Sequence, residues 1–126
     1  MLEVSYICKV KGIKEIRHIL YTEEFNEFFG TLDERAQSKF EDNISVLKTV
    51  YVLSTKFVKR IVNTDLYELR VSIGHNEYRS IIFAVDHDNV IQATKIILLN
   101  GFLKKSSKDY DKQIKKASNI LNSLDL

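Results

Sequence analysis

Three short basic motifs carry the residues of this chain best suited to chemistry: Leu66-Tyr67-Glu68-Leu69-Arg70, Glu77-Tyr78-Arg79 and Gly101-Phe102-Leu103-Lys104-Lys105-Ser106-Ser107-Lys108. Each sets Arg or Lys in, or at the end of, a stretch that otherwise reads as strand. Cations gathered at one end of a small sheet suit a phosphodiester. Arg offers planar, bidentate hydrogen bonding to phosphate oxygens, and Lys a compact charge. Cleaving RNA through its own 2′-hydroxyl needs a proton taken from the 2′-oxygen, neutralisation of the phosphorane and a proton delivered to the 5′-oxygen. Arginines and lysines meet the second need directly, and a lysine crowded by cations can serve as acid or base.

Each candidate also has a plainer reading. Arg70 shares a strand face with Glu68 and could be its surface ion-pair partner. Arg79 follows the turn, and a hairpin would bring it near Arg70, where two arginines repel unless an anion joins them. Lys104, Lys105 and Lys108 sit where a strand gives way to a helix, as a solvated connector or as an anion site at a helix start. Tyr110 falls in the first turn of that helix, as a packing ring or as a phenol that stacks on a base or holds a proton. His75 lies in the turn between the two Arg-bearing strands, as an idle surface residue or as an RNA-binding residue able to act as general acid or base. One cysteine and three scattered histidines make no zinc spacing, and neither a Ser-His-Asp order nor a phosphate-cradling glycine loop is present.

The elements that must position these residues can be read along the chain. Residues 2–9 and 13–21 look extended around Lys11-Gly12, a β-hairpin pattern. Thr22 reads as an N-cap, followed by Phe25, Phe28, Phe29 and Leu32 on one helical face. A longer helix starts near Asp33, with Phe40, Ile44, Leu47 and Tyr51 as its stripe. Residues 53–62 are irregular and basic, with Lys56, Lys59 and Arg60. Strands follow at 66–73, 78–85 and 90–102, with Leu66, Glu68, Arg70 and Ser72 on one side of the first and Tyr67, Leu69, Val71 and Ile73 on the other. The run Ile96 to Leu99 suits a central strand covered on both faces. Asp109 would cap a final helix carrying Ile114, Ala117, Leu121 and Leu124. The expected fold is one α+β domain over residues 1–126: a small twisted antiparallel sheet with an N-terminal two-helix hairpin and a C-terminal helix, the helices on one face, and a β-hairpin ahead of them.

Composition bounds the rest. With 44% hydrophobic and 29% charged residues in 126, the chain can bury a core and keep a soluble surface. Net charge is only +2, but residues 56–108 carry nine Lys/Arg against five Asp/Glu, whereas residues 1–55 carry seven against nine. The basic excess sits in the segment that holds the three motifs. No apolar run approaches the ~18 residues needed to span a membrane. The N-terminus lacks the charged start and apolar stretch of a signal peptide, and the lone Cys8 fits a reducing, cytoplasmic setting.

The order and spacing of the three motifs resemble the RelE/ParE superfamily of toxins from type II toxin–antitoxin systems, nearest to the HigB or phage Gp49-like branch, over about residues 23–121. Members of that branch read Leu-(aromatic)-Glu-Leu-Arg, Tyr-Arg and Gly-Phe-x-Lys-Lys before a C-terminal helix with an Ala, here Ala117. The resemblance implies a RelE-like fold and a metal-independent, cofactor-free, ribosome-dependent endoribonuclease (an mRNA interferase) that inhibits translation. It also implies a small helix-turn-helix antitoxin encoded next door as partner. By position, Arg70 and Arg79 would bind the scissile phosphate, Lys104, Lys105 and Lys108 would hold the RNA backbone or move protons, and Glu68 would orient Arg70. Tyr110 stands where the branch commonly has Pro, and matches a catalytic tyrosine of RelE itself. Leu66 and Glu68 replace lysines found on that strand in RelE, which leaves the general base open, and residues 2–12 exceed the usual family start. Two other readings use the same fold: a ParE-like gyrase inhibitor and a non-catalytic RNA- or protein-binding module.

Overall fold

A computed structural model describes residues 14–126, so the first arm of the expected N-terminal hairpin lies outside the described residues. The elements run β1 (His18–Tyr21), α1 (Glu23–Gly30), α2 (Glu34–Thr49), β2 (Val58–Arg60), β3 (Leu66–Ile73), β4 (Asn76–Ala84), β5 (Lys95–Leu98), β6 (Phe102–Leu103) and α3 (Ser107–Ser123). This is the expected α+β class. Two helices begin where their caps predict: the Thr22 hydroxyl accepts from the Phe25 amide at 3.0 Å, and Asp33 accepts from Ala36 at 2.8 Å. The third begins three residues earlier than expected. Ser106, not Asp109, is its cap, and Asp109 sits in the first turn, where its charge still opposes the helix dipole favourably.

The strands lie in the order β1-β5-β4-β3-β2, with β6 also on β4. The sheet is mixed rather than purely antiparallel, because β1 pairs with β5 in parallel. The helical pair carries the chain across one face from the β1 edge to the β2 edge, and the β3–β4 hairpin brings it back. Within that hairpin Gly74 takes the first loop position with φ +60°, a conformation that costs other residues a Cβ clash.

The strand expected over residues 90–102 is in fact two short ones. Before Lys95 the Asp86 carboxylate accepts from the Thr94 and Lys95 amides, and Asn89 Oδ1 accepts from Ile91, so side chains satisfy this backbone instead of a ladder. Past Leu98 the chain bends at Asn100-Gly101. Buried Asn100 substitutes there for the ladder, accepting from the Ile81 amide at 3.1 Å through Oδ1 and donating to the Gln113 carbonyl at 3.2 Å, which ties β4 to α3. The ring of Phe28 lies directly on Gly101, and a Cβ there would come within 2.0 Å of it. Gly101→Ala is therefore expected to destabilise the fold by about 2–3 kcal/mol, the upper range of overpacking, as read by thermal or urea unfolding. An unchanged midpoint would show that the ring yields freely.

Helices cover both faces, not one. Tyr67, Leu69, Val71, Ile82, Ile96 and Leu98 pack with Phe25, Phe40, Ile44 and Leu47 beneath α1 and α2. Leu66, Ile81, Ile97, Leu99 and Phe102 pack with Ala117 and Ile120 of α3 on the opposite side. The cause lies in the end of β4 and in β5, whose successive residues are apolar on both faces. Each pair Ile81/Ile82, Ile96/Ile97 and Leu98/Leu99 is buried, and one uncovered face would leave half of it in water. The side that α3 covers only in part is the side that holds the motif arginines.

Candidate functional site

The β3–β4 register sets Arg70 directly opposite Arg79. One contact from the segment leading into β2 and one from α2 hold that position. The Arg70 amide donates to the Phe57 carbonyl at 2.7 Å, and its carbonyl accepts from Asn43 Nδ2 of α2 at 2.8 Å. Two residues back on the same face, Glu68 accepts the Arg70 Nε–H at 2.8 Å on one carboxylate oxygen. Its other oxygen accepts the Tyr110 hydroxyl from the first turn of α3 and lies 3.8 Å from Arg79 Nε. The expected surface pair is thus a buried cluster. The Glu68 and Arg79 side chains are each 6% exposed, while Arg70 is 29% exposed. Arg79 donates through Nη1 to its neighbour's carbonyl, Tyr78, at 2.9 Å, and its buried Nε has no acceptor within hydrogen-bond distance among the described residues.

Two arginines across a strand pair repel, and the carboxylate between them is what lets both stay. Burial alone would push the Glu68 carboxyl up. The hydrogen bonds from Tyr110 and Arg70 and the charges of Arg70 and Arg79 outweigh it, so the group is held below its ordinary range. The Tyr110 phenol is pushed well above its ordinary range, first by burial and then by its bond to the Glu68 carboxylate. At neutral pH the pair is therefore an ionised acceptor and a fully protonated donor.

In front of the cluster is a cleft of about 470 Å³ between β2, β3 and the start of α3. Five cations line it, Lys59, Arg60, Arg70, Lys104 and Lys105, against two carboxylates, Glu68 and Asp111. Lys104 Nζ stands 5.9 Å from the centroid of the Tyr110 ring. The structure thus brings Glu68, Arg70, Lys104, Lys105 and Tyr110 together, with Arg79 packed behind them. Lys108 is exposed and does not line the cleft, and His75 is exposed at the hairpin tip, three residue pairs beyond Arg70–Arg79. That distance, about 10 Å of strand, keeps His75 out of the arrangement.

Lys59 and Arg60 are the lining cations that the motifs did not single out. Their signal was the basic run before the first motif, but only the pairing of Lys59 with Glu68 across β2–β3 shows that it faces the site. Arg60 is already engaged, 3.7 Å from Asp65 and 5.8 Å from the centre of the Tyr67 ring, which leaves Lys59 as the more available charge of the two. Among the described residues no group of three or more His, Cys, Asp or Glu could hold a metal ion, and no helix is long and apolar enough to cross a membrane.

A charged, partly enclosed cleft of this kind can bind an anion against Arg70 and the two connector lysines. A family model described as phage derived protein Gp49-like (DUF891) matches residues 27–122, which takes in α2, every strand from β2 to β6 and nearly all of α3. No curated protein and no solved structure matches the chain.

Proposed function

We propose that this chain, which belongs to the Gp49-like phage-derived protein family within the RelE/HigB-like toxin superfamily, is the toxin of a type II toxin–antitoxin pair and cleaves messenger RNA on the ribosome. Membership of the family is consistent with a toxin module. The observation that carries the nuclease reading is the cationic cleft, lined by part-exposed Arg70 and the connector lysines, with Tyr110 tied to Glu68 beside them. In this reading the RNA 2′-oxygen attacks phosphorus while the bond to the 5′-oxygen breaks, leaving a 2′,3′-cyclic phosphate and a 5′-hydroxyl. Arg70 receives the non-bridging oxygens of the phosphorane, and Lys104 and Lys105 add charge from the opposite wall. Arg79 contributes its charge from behind Glu68, because it is too buried to meet the RNA in the free protein. The 2′-proton passes to water, and a connector lysine, Lys104 or Lys105, protonates the leaving 5′-oxygen, because the one O–H of Tyr110 is given to Glu68. The partners that go with this reading are a small helix-turn-helix antitoxin and the mRNA-loaded ribosome, in the cytoplasm.

Cleavage-site mapping tests the proposal. Purified protein is incubated with programmed ribosomes and, separately, with the same mRNA free in solution. Cuts at codon-phased positions on ribosomes alone are the expected result, with cyclic-phosphate ends. Cuts on free RNA would make the chain a ribosome-independent nuclease. An absence of cuts in both would remove the nuclease reading and leave gyrase inhibition or a binding role.

A further inference from the structure

We infer that Glu68 is a positioning residue through which the seating of α3 and the presentation of Arg70 become one arrangement. The inference rests on the nuclease reading and adds to it a residue that touches no substrate. Each oxygen of the carboxylate has its own task. One holds Arg70 at 2.8 Å, and does so through Nε, the inner nitrogen of the fork. The terminal amino groups are not the ones Glu68 holds, and Arg70 lines the cleft, where a phosphate can take two parallel hydrogen bonds from them. The other oxygen holds the Tyr110 hydroxyl, a side-chain bridge from the first turn of α3 to the strand that bears Arg70.

The two tasks are linked because they share one buried group. A carboxylate that is 6% exposed is stable as an ion only while its donors stay in place. If α3 lifts, Glu68 loses Tyr110 and gains water, and its hold on Arg70 loosens with it. If Arg70 turns away, Arg70 and Arg79 lose the charge that separates them. The groups facing this carboxylate are Lys59 from β2, Arg70 from β3, Arg79 from β4 and Tyr110 from α3. Asn100, bonded to Gln113, fixes the next turn of α3 independently, so that loss of the Glu68 contact changes how the helix start sits without releasing the helix.

The test compares the wild-type protein with Glu68→Gln, which keeps the shape and removes the charge, and with Tyr110→Phe. Two readouts are taken. On RNA that the wild type cuts, Glu68→Gln is expected to lower kcat by about 10²-fold with KM within about 3-fold, the pattern of misplaced groups rather than lost binding. The double variant should lose little beyond either single one, since both act through one bridge. The second readout needs no RNA. Amide exchange at Asp109 and Tyr110, in the first turn of α3, should be faster in Glu68→Gln and Tyr110→Phe than in the wild type, while Ala117, further along the helix, keeps its protection. Exchange at the start of α3 that does not change would overturn the bridge. Losses in kcat that only track the unfolded fraction would reduce Glu68 to a structural residue. If Glu68→Gln does not fold, Tyr110→Phe alone decides: a kcat equal to wild type overturns the inference. If the wild type cuts no RNA, the nuclease reading falls, while exchange at the start of α3 still reports on the bridge.

Discussion

Arg70→Ala is expected to reduce cleavage of ribosome-bound mRNA by about 10²–10³-fold, the usual consequence of removing one preorganised donor from a developing oxyanion. The fold should survive the change. Arg70 is 29% exposed, and after truncation Glu68 keeps the Tyr110 hydroxyl and the nearby charge of Arg79, so no carboxylate is left wholly unpaired. After discounting for solvent screening, loss of the pair should cost about 1 kcal/mol or less. The readouts are single-turnover cleavage and the unfolding midpoint, taken on the same preparation. Arg70→Lys should recover only part of the rate, since an ammonium cannot both donate to Glu68 through an inner nitrogen and fork around a phosphate. Cleavage within a few-fold of wild type would remove Arg70 from the chemistry.

Arg79, the other motif arginine, gives a less clean experiment. Its side chain is 6% exposed and packs beside an equally buried carboxylate. Truncation would open a cavity and weaken the compensation of Glu68 in the same stroke, so lost activity and lost stability would arrive together. The two arginines look equivalent as motif residues, and only burial separates a group that can meet a ligand from one that supports it. Growth arrest that persists in Arg70→Ala cells would point towards a target other than mRNA, with gyrase the first to assay.

What the sequence made legible follows from range. The Thr22 cap, the helix start near Asp33, the face assignment along residues 66–73 and the closeness of Arg70 to Arg79 depend on neighbours within one helix turn or one hairpin, and all are found. The parallel pairing of β1 with β5 joins segments more than seventy residues apart, and no local pattern encodes which edge a short strand takes. The placement of α3 opposite the other helices was foreshadowed by the doubly apolar run Ile96 to Leu99, but a run says that both faces are covered, not by what. The broken strand at Asn100-Gly101 depends on a ring from α1, and the cleft-facing role of Lys59 on a three-residue strand too short to read from alternation. The cluster around Glu68 was legible as a set of residue types. Its burial was not, because a Glu two residues from an Arg on a strand face looks the same whether or not a helix later closes over it.

A buried arginine that no motif marked should prove the most costly surface-type residue to remove. Arg17, which precedes β1, is 2% exposed, and its guanidinium donates to four backbone carbonyls: Leu47 at 2.9 Å, Val50 at 2.6 Å, and Tyr51 and Ile91 at 2.7 Å each. Three of these belong to the C-terminal end of α2 or the residues just past it, where helix carbonyls lack intrahelical partners and the dipole favours a cation. The fourth is in the loop before β5, so a single side chain joins the end of the helix to the sheet edge on which β1 lies. Burial pushes its pKa down, and the carbonyl acceptors that replace water are what keep the ion inside. Arg17→Met fills much of the same space but leaves buried carbonyls without a donor. The expected loss is about 3 kcal/mol or more, against under about 0.5 kcal/mol for exposed Arg35→Ala as control. For a domain of this size that corresponds to a fall in Tm of roughly 10 °C. None of the four acceptors lines the cleft, so cleavage per folded molecule should match the wild type below the transition. A Tm lowered by less than about 2 °C would mean that water or relaxed backbone satisfies the carbonyls, and that the end of α2 is held by its apolar stripe alone.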